Sequence, residues 1–289
     1  MKITTSVAIQ GEEGSYHDKA ARHYFGEDYT PHYCDSFEVV FRSVVEHDTE
    51  YGLAAVENSL VGSIAPVYDL LRTTPEVHII GEIYLAIHHS LIGLPEAQLA
   101  DITTVYSHPV ALDQCSSFFK RELPKATIQA TSDTAGSAAY IKQLGDASAA
   151  AAASADNATR LGLQVLREGI EDDPSNYTRF LVLATSQQAV EPTRGAYKTS
   201  LLIERLNNQA DDSAPGTLHA ALACFADNGI SLTKIESRPI HGRPWRYIFY
   251  LDCAAGTAEP SMQAALEGLT NLSATWRLLG TYECGKTIT

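Results

Sequence analysis

The chain has 289 residues, 45% hydrophobic and 19% charged, a composition that fills a core and excludes global disorder. Its 21 Lys and Arg against 35 Asp and Glu leave a formal charge of −14, which excludes a general electrostatic affinity for nucleic acid or anionic membrane surfaces. Any site for an anion must therefore supply its own local positive field. At this length two domains are expected, with room for a third lobe.

The first residues carry one Lys and no sustained apolar run, so no secretory signal is read there. The most uniform apolar stretch, residues 149–153, is far too short to span a bilayer. Five scattered cysteines without a CxxC pair point to reduced thiols in a cytoplasmic protein, not to a disulfide frame or a zinc cage.

From Ser6 onward, short apolar or β-branched runs alternate with longer helical patterns. Residues 7–9 read as a strand ending at Gly11-Glu12-Glu13-Gly14-Ser15, and an Ala-rich helix follows to about Phe25. Residues 51–56 read as a buried strand broken by Glu57-Asn58-Ser59, with helical spacing resuming over 64–71. Residues 103–106 lead through Ser107-His108-Pro109 into one helix bearing Leu112, Cys115, Phe118 and Phe119. A strand over 128–130, the turn Ser132-Asp133-Thr134 and a helix to Leu144 repeat the plan. This rhythm predicts an α/β fold with mostly parallel strands, in which ligands gather where strand ends meet helix starts.

The composition changes at Thr185, where a segment with Pro192 and Gly195 lacks periodicity and reads as a linker. Strand over 198–205, helix over 217–228, strands over 232–240 and 247–253, helix over 262–269 and strand over 274–279 complete the chain. That βαββαβ order is the ferredoxin-like split βαβ unit. Leu218, Leu222 and Phe225 fall at i, i+4 and i+7, one apolar stripe for one sheet face.

The polar turns are the candidate sites. The glycine-bearing turn at 11–15 lacks the spacing of a dinucleotide fingerprint or a P-loop and reads as an ordinary turn with Ser15 capping the next helix. In Glu57-Asn58-Ser59, Asn58 and Ser59 offer uncharged hydrogen bonds where a carboxylate ligand could dock, or the turn caps a helix. His108 has no partnered nucleophile motif and reads as a structural histidine rather than a general base. His88 and His89 alternate across a strand and cannot direct both rings at one metal; no metal spacing occurs, so no metal is expected. In Asn176-Tyr177-Thr178-Arg179-Phe180, strand alternation puts Thr178 and Phe180 on one face and Arg179 on the other.

Taken in order, GEEGSYHDKAA, VENSLVGSIAPVYDLL, SHPVALDQC, DTAGSAAYI and NYTRFLVL resemble the signature blocks of prephenate dehydratases. PGTLHAALACFADNGISLTKIESRP resembles that family's phenylalanine-sensing ACT domain. The resemblance runs from about Ile9 past Pro239 and implies a two-lobed catalytic domain like a periplasmic binding protein over 1–185. Its lobes are about 1–80 plus 166–185, and 81–165. A linker over 186–196 and an ACT domain over 197–289 follow. The implied reaction takes prephenate to phenylpyruvate, carbon dioxide and water without cofactor or metal. Arogenate dehydration is the alternative within the enzyme class, and a non-catalytic amino-acid sensor is the alternative outside it.

By the same resemblance Thr178 is the donor to the departing hydroxyl, with Glu57, Asn58, Ser107 and Gln114 completing the catalytic set. Ser59, Thr134, Asn176 and Arg179 are expected to bind substrate. Simple alternation turns Arg179 away from Thr178, and Glu57 is awkward beside a dianion: it is read either as an orienting acceptor or as partly protonated. Gly216, Thr217 and Leu218 with Glu236, Ser237, Arg238 and Pro239 correspond to the two segments that contact phenylalanine. Such sites form across a subunit interface, implying a homodimer or homotetramer. His219, where members of the family often carry an apolar residue, leaves the strength and sign of phenylalanine control open. No helical chorismate-mutase segment is expected ahead of Ser6.

Overall fold

The computed structural model describes residues 5–186, 196–205, 215–240 and 242–289. The first lobe contains β1 (Ser6–Gln10), α1 (Tyr16–Phe25), β2 (Thr30–Cys34), α2 (Phe37–Val45), β3 (Tyr51–Asn58), β4 (Gly62–Ser63), α3 (Ala65–Thr73) and β5 (His78–Ala86). The chain crosses through Ile87-His88-His89 into the second lobe. There it forms β6 (Ser90–Gly93), β7 (Thr104–Ser107), α4 (Pro109–Gln114), α5 (Ser116–Glu122), β8 (Thr127–Ala130), α6 (Thr134–Leu144), β9 (Ala149–Ala153), α7 (Ala155–Leu161) and β10 (Gln164–Arg167). It returns to the first lobe as β11 (Tyr177–Ala184). The C-terminal unit runs β12 (Tyr197–Arg205), α8 (Thr217–Ala226), β13 (Leu232–Ile240), β14 (Arg243–Cys253), α9 (Pro260–Asn271) and β15 (Thr275–Glu283). A last strand, β16 (Thr287–Ile288), pairs in parallel with β5 of the first lobe. Most of the expected linker, residues 187–195, lies outside the described residues.

The fold is α/β, but its sheets are mixed where mostly parallel strands are expected. The first sheet is ordered β16-β5-β11-β3-β1-β2, with β4 added to β3. Here β1 is parallel to β2 and β3, whereas β11 runs antiparallel to both β3 and β5. The second sheet, β10-β6-β9-β7-β8, is parallel only across β7, β8 and β9. The cause is the pair of crossings between lobes. A strand entering or leaving a lobe by such a crossing inserts without a βαβ unit, so the handed parallel connection does not constrain it.

Local chemistry sets the element ends. The Ser15 side chain caps α1 by accepting from the Asp18 amide, as read from sequence. The single helix expected across 112–119 is instead two short helices, because Cys115 leaves helical geometry between α4 and α5. In β9 five consecutive alanines are fully covered: Ala150 and Ala152 join one apolar cluster, Ala149, Ala151 and Ala153 another. Small side chains let both layers close on that strand, and burial overrides alanine's helical preference.

The C-terminal sheet, β13-β14-β12-β15, is antiparallel throughout. One face packs on α8 and α9 through Leu201, Ile203, Phe225, Met262 and Leu269. The other docks on the back of the first lobe, where Leu202, Ile248, Tyr250 and Leu279 share a core with Val56, Tyr68, Leu71 and Leu181.

Candidate active site

Between the first two lobes lies a cleft of about 440 Å³, the size of a small-molecule site. The first lobe lines it with Gly11, Tyr16, His17, Phe37, Asn58, Thr178 and Phe180; the second with His108, Gln114, Asp133 and Thr134, and the crossing contributes His89. Among the described residues the wall holds neither Lys nor Arg, and Asp133 is the only carboxylate. Attraction for an anion must come from neutral donors, histidines and the first-turn N–H groups of α1 and α6.

A β-bulge decides which side chain of β3 enters the cleft. Arg179 pairs with Glu57 but the next residue, Phe180, pairs with Ala55, leaving Val56 as the extra residue. Ala55 therefore faces the cleft, Val56 and Glu57 both face the C-terminal unit, and Asn58 returns to the cleft. Asn58 Oδ1 accepts from the amides of Leu60 and Val61, each at 3.0 Å, which settles the orientation of its amide. Its Nδ2 reaches Thr178 Oγ1 at 3.0 Å and Asn176 Oδ1 at 2.7 Å. Since Thr178 Oγ1 accepts from Asn58, the hydroxyl keeps its own hydrogen for the cleft.

The same settled amide propagates a chain of hydrogen bonds into the second lobe. Asn176, fully buried, presents Oδ1 to Asn58 and donates from Nδ2 to Gln114 Oε1 at 3.1 Å. Gln114 Oε1 also faces His89 Nε2 at 3.2 Å, so that nitrogen is the donor and carries a hydrogen. Gln114 Nε2 is thereby turned away from the chain. His89 Nδ1 lies 3.1 Å from the Tyr16 hydroxyl, which also sits 2.7 Å from the carbonyl oxygen of His88.

Of the sequence-predicted residues, Thr178, Asn58, Gln114 and Thr134 line the cleft, and Asn176 joins them from beneath its surface. Four others are corrected. Glu57 pairs with Lys234 of β13 at 2.8 Å, carried to the back of β3 by the bulge. Ser107 is fully buried and donates to the carbonyl of Ala152 under the floor of the second lobe. Ser59 donates to Ser175 O and accepts from the Tyr177 amide, tying the end of β3 to the start of β11. Arg179 obeys the alternation of β11 and is buried on the face opposite Thr178, bound to Glu82, Asp252 and Tyr282. Burial works against its charge, but Asp252, Tyr282 and Glu82 outweigh that and raise its pKa well above the ordinary value.

In the C-terminal unit, Gly216 adopts φ +89° before α8, with Thr217 and Leu218 opening the helix. Alternation along β13 divides the other predicted effector residues. Ser237 and Pro239 are exposed, whereas the Glu236 side chain accepts from Ser63 Oγ at 2.6 Å and Arg238 donates to Asp69 at 2.9 Å, both across to the first lobe. The side chains of Glu236 and Arg238 are thus turned away from Ser237 and Pro239, a correction to grouping all four at one ligand.

Three histidines line the cleft: His17, which the sequence reading passed over, His108, which it read as structural, and His89, which it weighed only as a metal ligand. His17 Nε2 accepts from the Ala55 amide at 3.2 Å, its ring meets Phe180 edge-on, and burial pushes its pKa down to about 4. His108 Nδ1 accepts from the Val110 amide at 3.3 Å, and burial lowers its pKa against the opposing pull of Asp133. His89 is 2% exposed and shifted down by burial, with Gln114 and Glu171 opposing. The only signal in the sequence is the place of His17 and His108 inside the turn motifs. Among the described residues no cluster of three or more His, Cys, Asp or Glu could hold a metal ion.

Residues 7–188 match the family model for prephenate dehydratase. The chain belongs to the prephenate dehydratase family. It is 38% identical over 291 residues to arogenate dehydratase/prephenate dehydratase 6, chloroplastic, of Arabidopsis thaliana; the match covers 96% of this chain and 68% of that one. A crystal structure of prephenate dehydratase from Arthrobacter aurescens in complex with L-Phe is similar with TM-score 0.86 and 29% identity, over 96% of this chain and 90% of that one. So is the structure of GqqA, described as a novel type of quorum-quenching acylase, with TM-score 0.85 and 30% identity, over 96% and 98%. Family membership makes the chain a lyase of aromatic amino-acid biosynthesis.

Proposed function

We propose that the cleft converts prephenate to phenylpyruvate, carbon dioxide and water, with Thr178 donating to the departing ring hydroxyl. The observation that carries this role is the Asn58 contact: an oriented amide donates to Thr178 Oγ1 at 3.0 Å, leaving the hydroxyl hydrogen aimed away from Asn58. Loss of the carboxylate and the hydroxyl makes the ring aromatic, so the substrate supplies the driving force. The protein need only hold two carboxylates and help hydroxide leave as water. A threonine hydroxyl is a weak acid, so it shares its proton in the transition state instead of transferring it beforehand. Gln114, Thr134 and the helix-start amides are neutral donors to the carboxylates, each contributing about 1.5–3 kcal/mol to a charged acceptor.

The acylase description of one structural relative finds no counterpart in this geometry. Among the described cleft residues the hydrogen bond between a hydroxyl and a histidine is that of Tyr16 with His89, not the Ser–His or Thr–His pair of a side-chain nucleophile. The C-terminal unit reads as an ACT-type sensor of L-phenylalanine at Gly216, Thr217 and Leu218 with Ser237 and Pro239, shared between subunits of a homodimer or homotetramer. A cytoplasmic location accords with the free cysteines. No helix among the described residues is long and apolar enough to cross a membrane.

Release of phenylpyruvate from prephenate, measured for the wild type and Thr178→Ala, tests the reading. Loss of one preorganised donor lowers kcat about 10²–10³-fold, roughly 3–4 kcal/mol, with KM nearly unchanged. Equal or faster turnover of arogenate in a parallel assay would reassign the substrate. A wild-type enzyme inert on both would defeat the assignment.

A further inference from the structure

Among the described residues, three histidines and no Lys or Arg line the cleft, and their hydrogen bonds separate the three rings. His17 Nε2 and His108 Nδ1 each accept from a backbone amide, so either ring gives up that bond on taking a second proton. His89 is different. Its Nε2 must donate to Gln114, because Gln114 Oε1 is fixed by Asn176, which is fixed by Asn58. Its Nδ1 faces a hydroxyl that can either donate or accept. With His89 neutral, Nδ1 and the His88 carbonyl oxygen, both acceptors, compete for the one Tyr16 hydrogen. With His89 protonated, Nδ1–H donates to Tyr16 and the tyrosine hydrogen turns to the His88 carbonyl at 2.7 Å. The second arrangement satisfies every partner without displacing a heavy atom.

The groups packed around the ring divide by sign. Glu171, its side chain 5% exposed, accepts from the His89 amide at 2.9 Å and from His88 Nδ1 at 2.9 Å, placing a carboxylate beside the imidazole. His88 opposes a charge on its neighbour, as does burial. Tyr16 and Cys115 stay protonated, since burial first and nearby Glu171 second or third push both upward. Gln114 is neutral. A free cleft therefore holds His89 neutral near pH 7, and a dianion tips the balance.

We propose that His89 is a positioning residue that takes up one proton from solvent when the dianionic substrate binds, giving the cleft its titratable cation while locking Gln114 through Nε2–H. This rests on the dehydratase reading above, and the deprotonated carboxylates of prephenate make the proton traceable to the protein.

Calorimetric titration of Thr178→Ala with prephenate at about pH 7.5, in buffers of different protonation enthalpy, counts the protons taken up. About one is expected, falling to near zero in the Thr178→Ala/His89→Gln double variant, whose glutamine still offers a donor to Gln114. Binding with unchanged proton uptake in the double variant overturns the proposal, as does binding of prephenate without uptake in Thr178→Ala. The wild type in steady state adds a second readout. Its kcat/KM should fall about tenfold per pH unit above the free-enzyme pKa of His89, a limb absent from His89→Gln and moved to lower pH in Tyr16→Phe, which removes the acceptor of Nδ1–H. The same limb in all three enzymes also defeats the idea. Phenylpyruvate production by the wild type reports on the dehydratase reading separately.

Discussion

Two neighbouring residues of β11 meet opposite environments, and the difference defines the site. Thr178 looks into the cleft with Asn58 behind it, while Arg179 is 6% exposed among Glu82, Asp252, Lys198 and Tyr282. Arg179 and Lys198 against Glu82 and Asp252 make a cluster that is formally neutral. Removing one member leaves an uncompensated buried charge, at a cost of about 3–5 kcal/mol. Arg179→Met is therefore expected to lower the unfolding free energy by about that amount, read from the denaturant midpoint. If folded Arg179→Met instead kept wild-type stability and raised KM, the guanidinium would be serving substrate. Alternation alone already turned Arg179 away from Thr178, so this orientation was legible in the sequence. What covers it was not, because Asp252 and Tyr282 lie 73 and 103 residues further along the chain.

At the scale of elements, the strands and helices of the polar-turn motifs follow from apolar periodicity, and so does the βαββαβ order of the last ninety residues. The β-bulge at Val56 does not: one extra residue rotates Glu57 out of the cleft and Asn58 into it, and no pattern in YGLAAVEN marks it. Nor does the close approach of β15 to β5. A Cβ built on Gly280 would sit 1.9 Å from the carbonyl oxygen of Ile79, closer than any side chain tolerates. Gly280→Ala must push β15 away from β5 and strain the core they share, at a cost of about 1–3 kcal/mol or more. Thermal denaturation should show that loss, and an unaltered melting temperature would mean the two strands have slack that the structure does not show.

On the scale of the whole molecule, the C-terminal sheet touches the catalytic machinery from behind. Its helix-free face shares one apolar core with β3, α3 and β11, the same strands whose front faces carry Asn58 and Thr178. Polar contacts from β13 extend the seam: Lys234 pairs with Glu57 and donates to Ser63, Glu236 accepts from Ser63, and Arg238 pairs with Asp69. Lys234 thus grips the residue directly before Asn58, from the strand whose exposed face carries Ser237 and Pro239. A ligand that shifts β13 would act on Glu57 first and, through the bulge, on the amide behind Thr178. Coupling between sites is commonly worth about 1–3 kcal/mol, and one contact of several carries a share of it. Lys234→Met keeps an unbranched side chain of similar length but removes the ammonium, which lies 5.7 Å from the Tyr68 ring centroid. It should leave basal turnover within about twofold and weaken the proposed response to phenylalanine about 3- to 10-fold in half-effective concentration, roughly 0.7–1.4 kcal/mol. Adding Glu57→Gln should then change that midpoint little further, because both substitutions break one contact. Additive shifts in the double variant would show that the seam transmits the signal through some other pair.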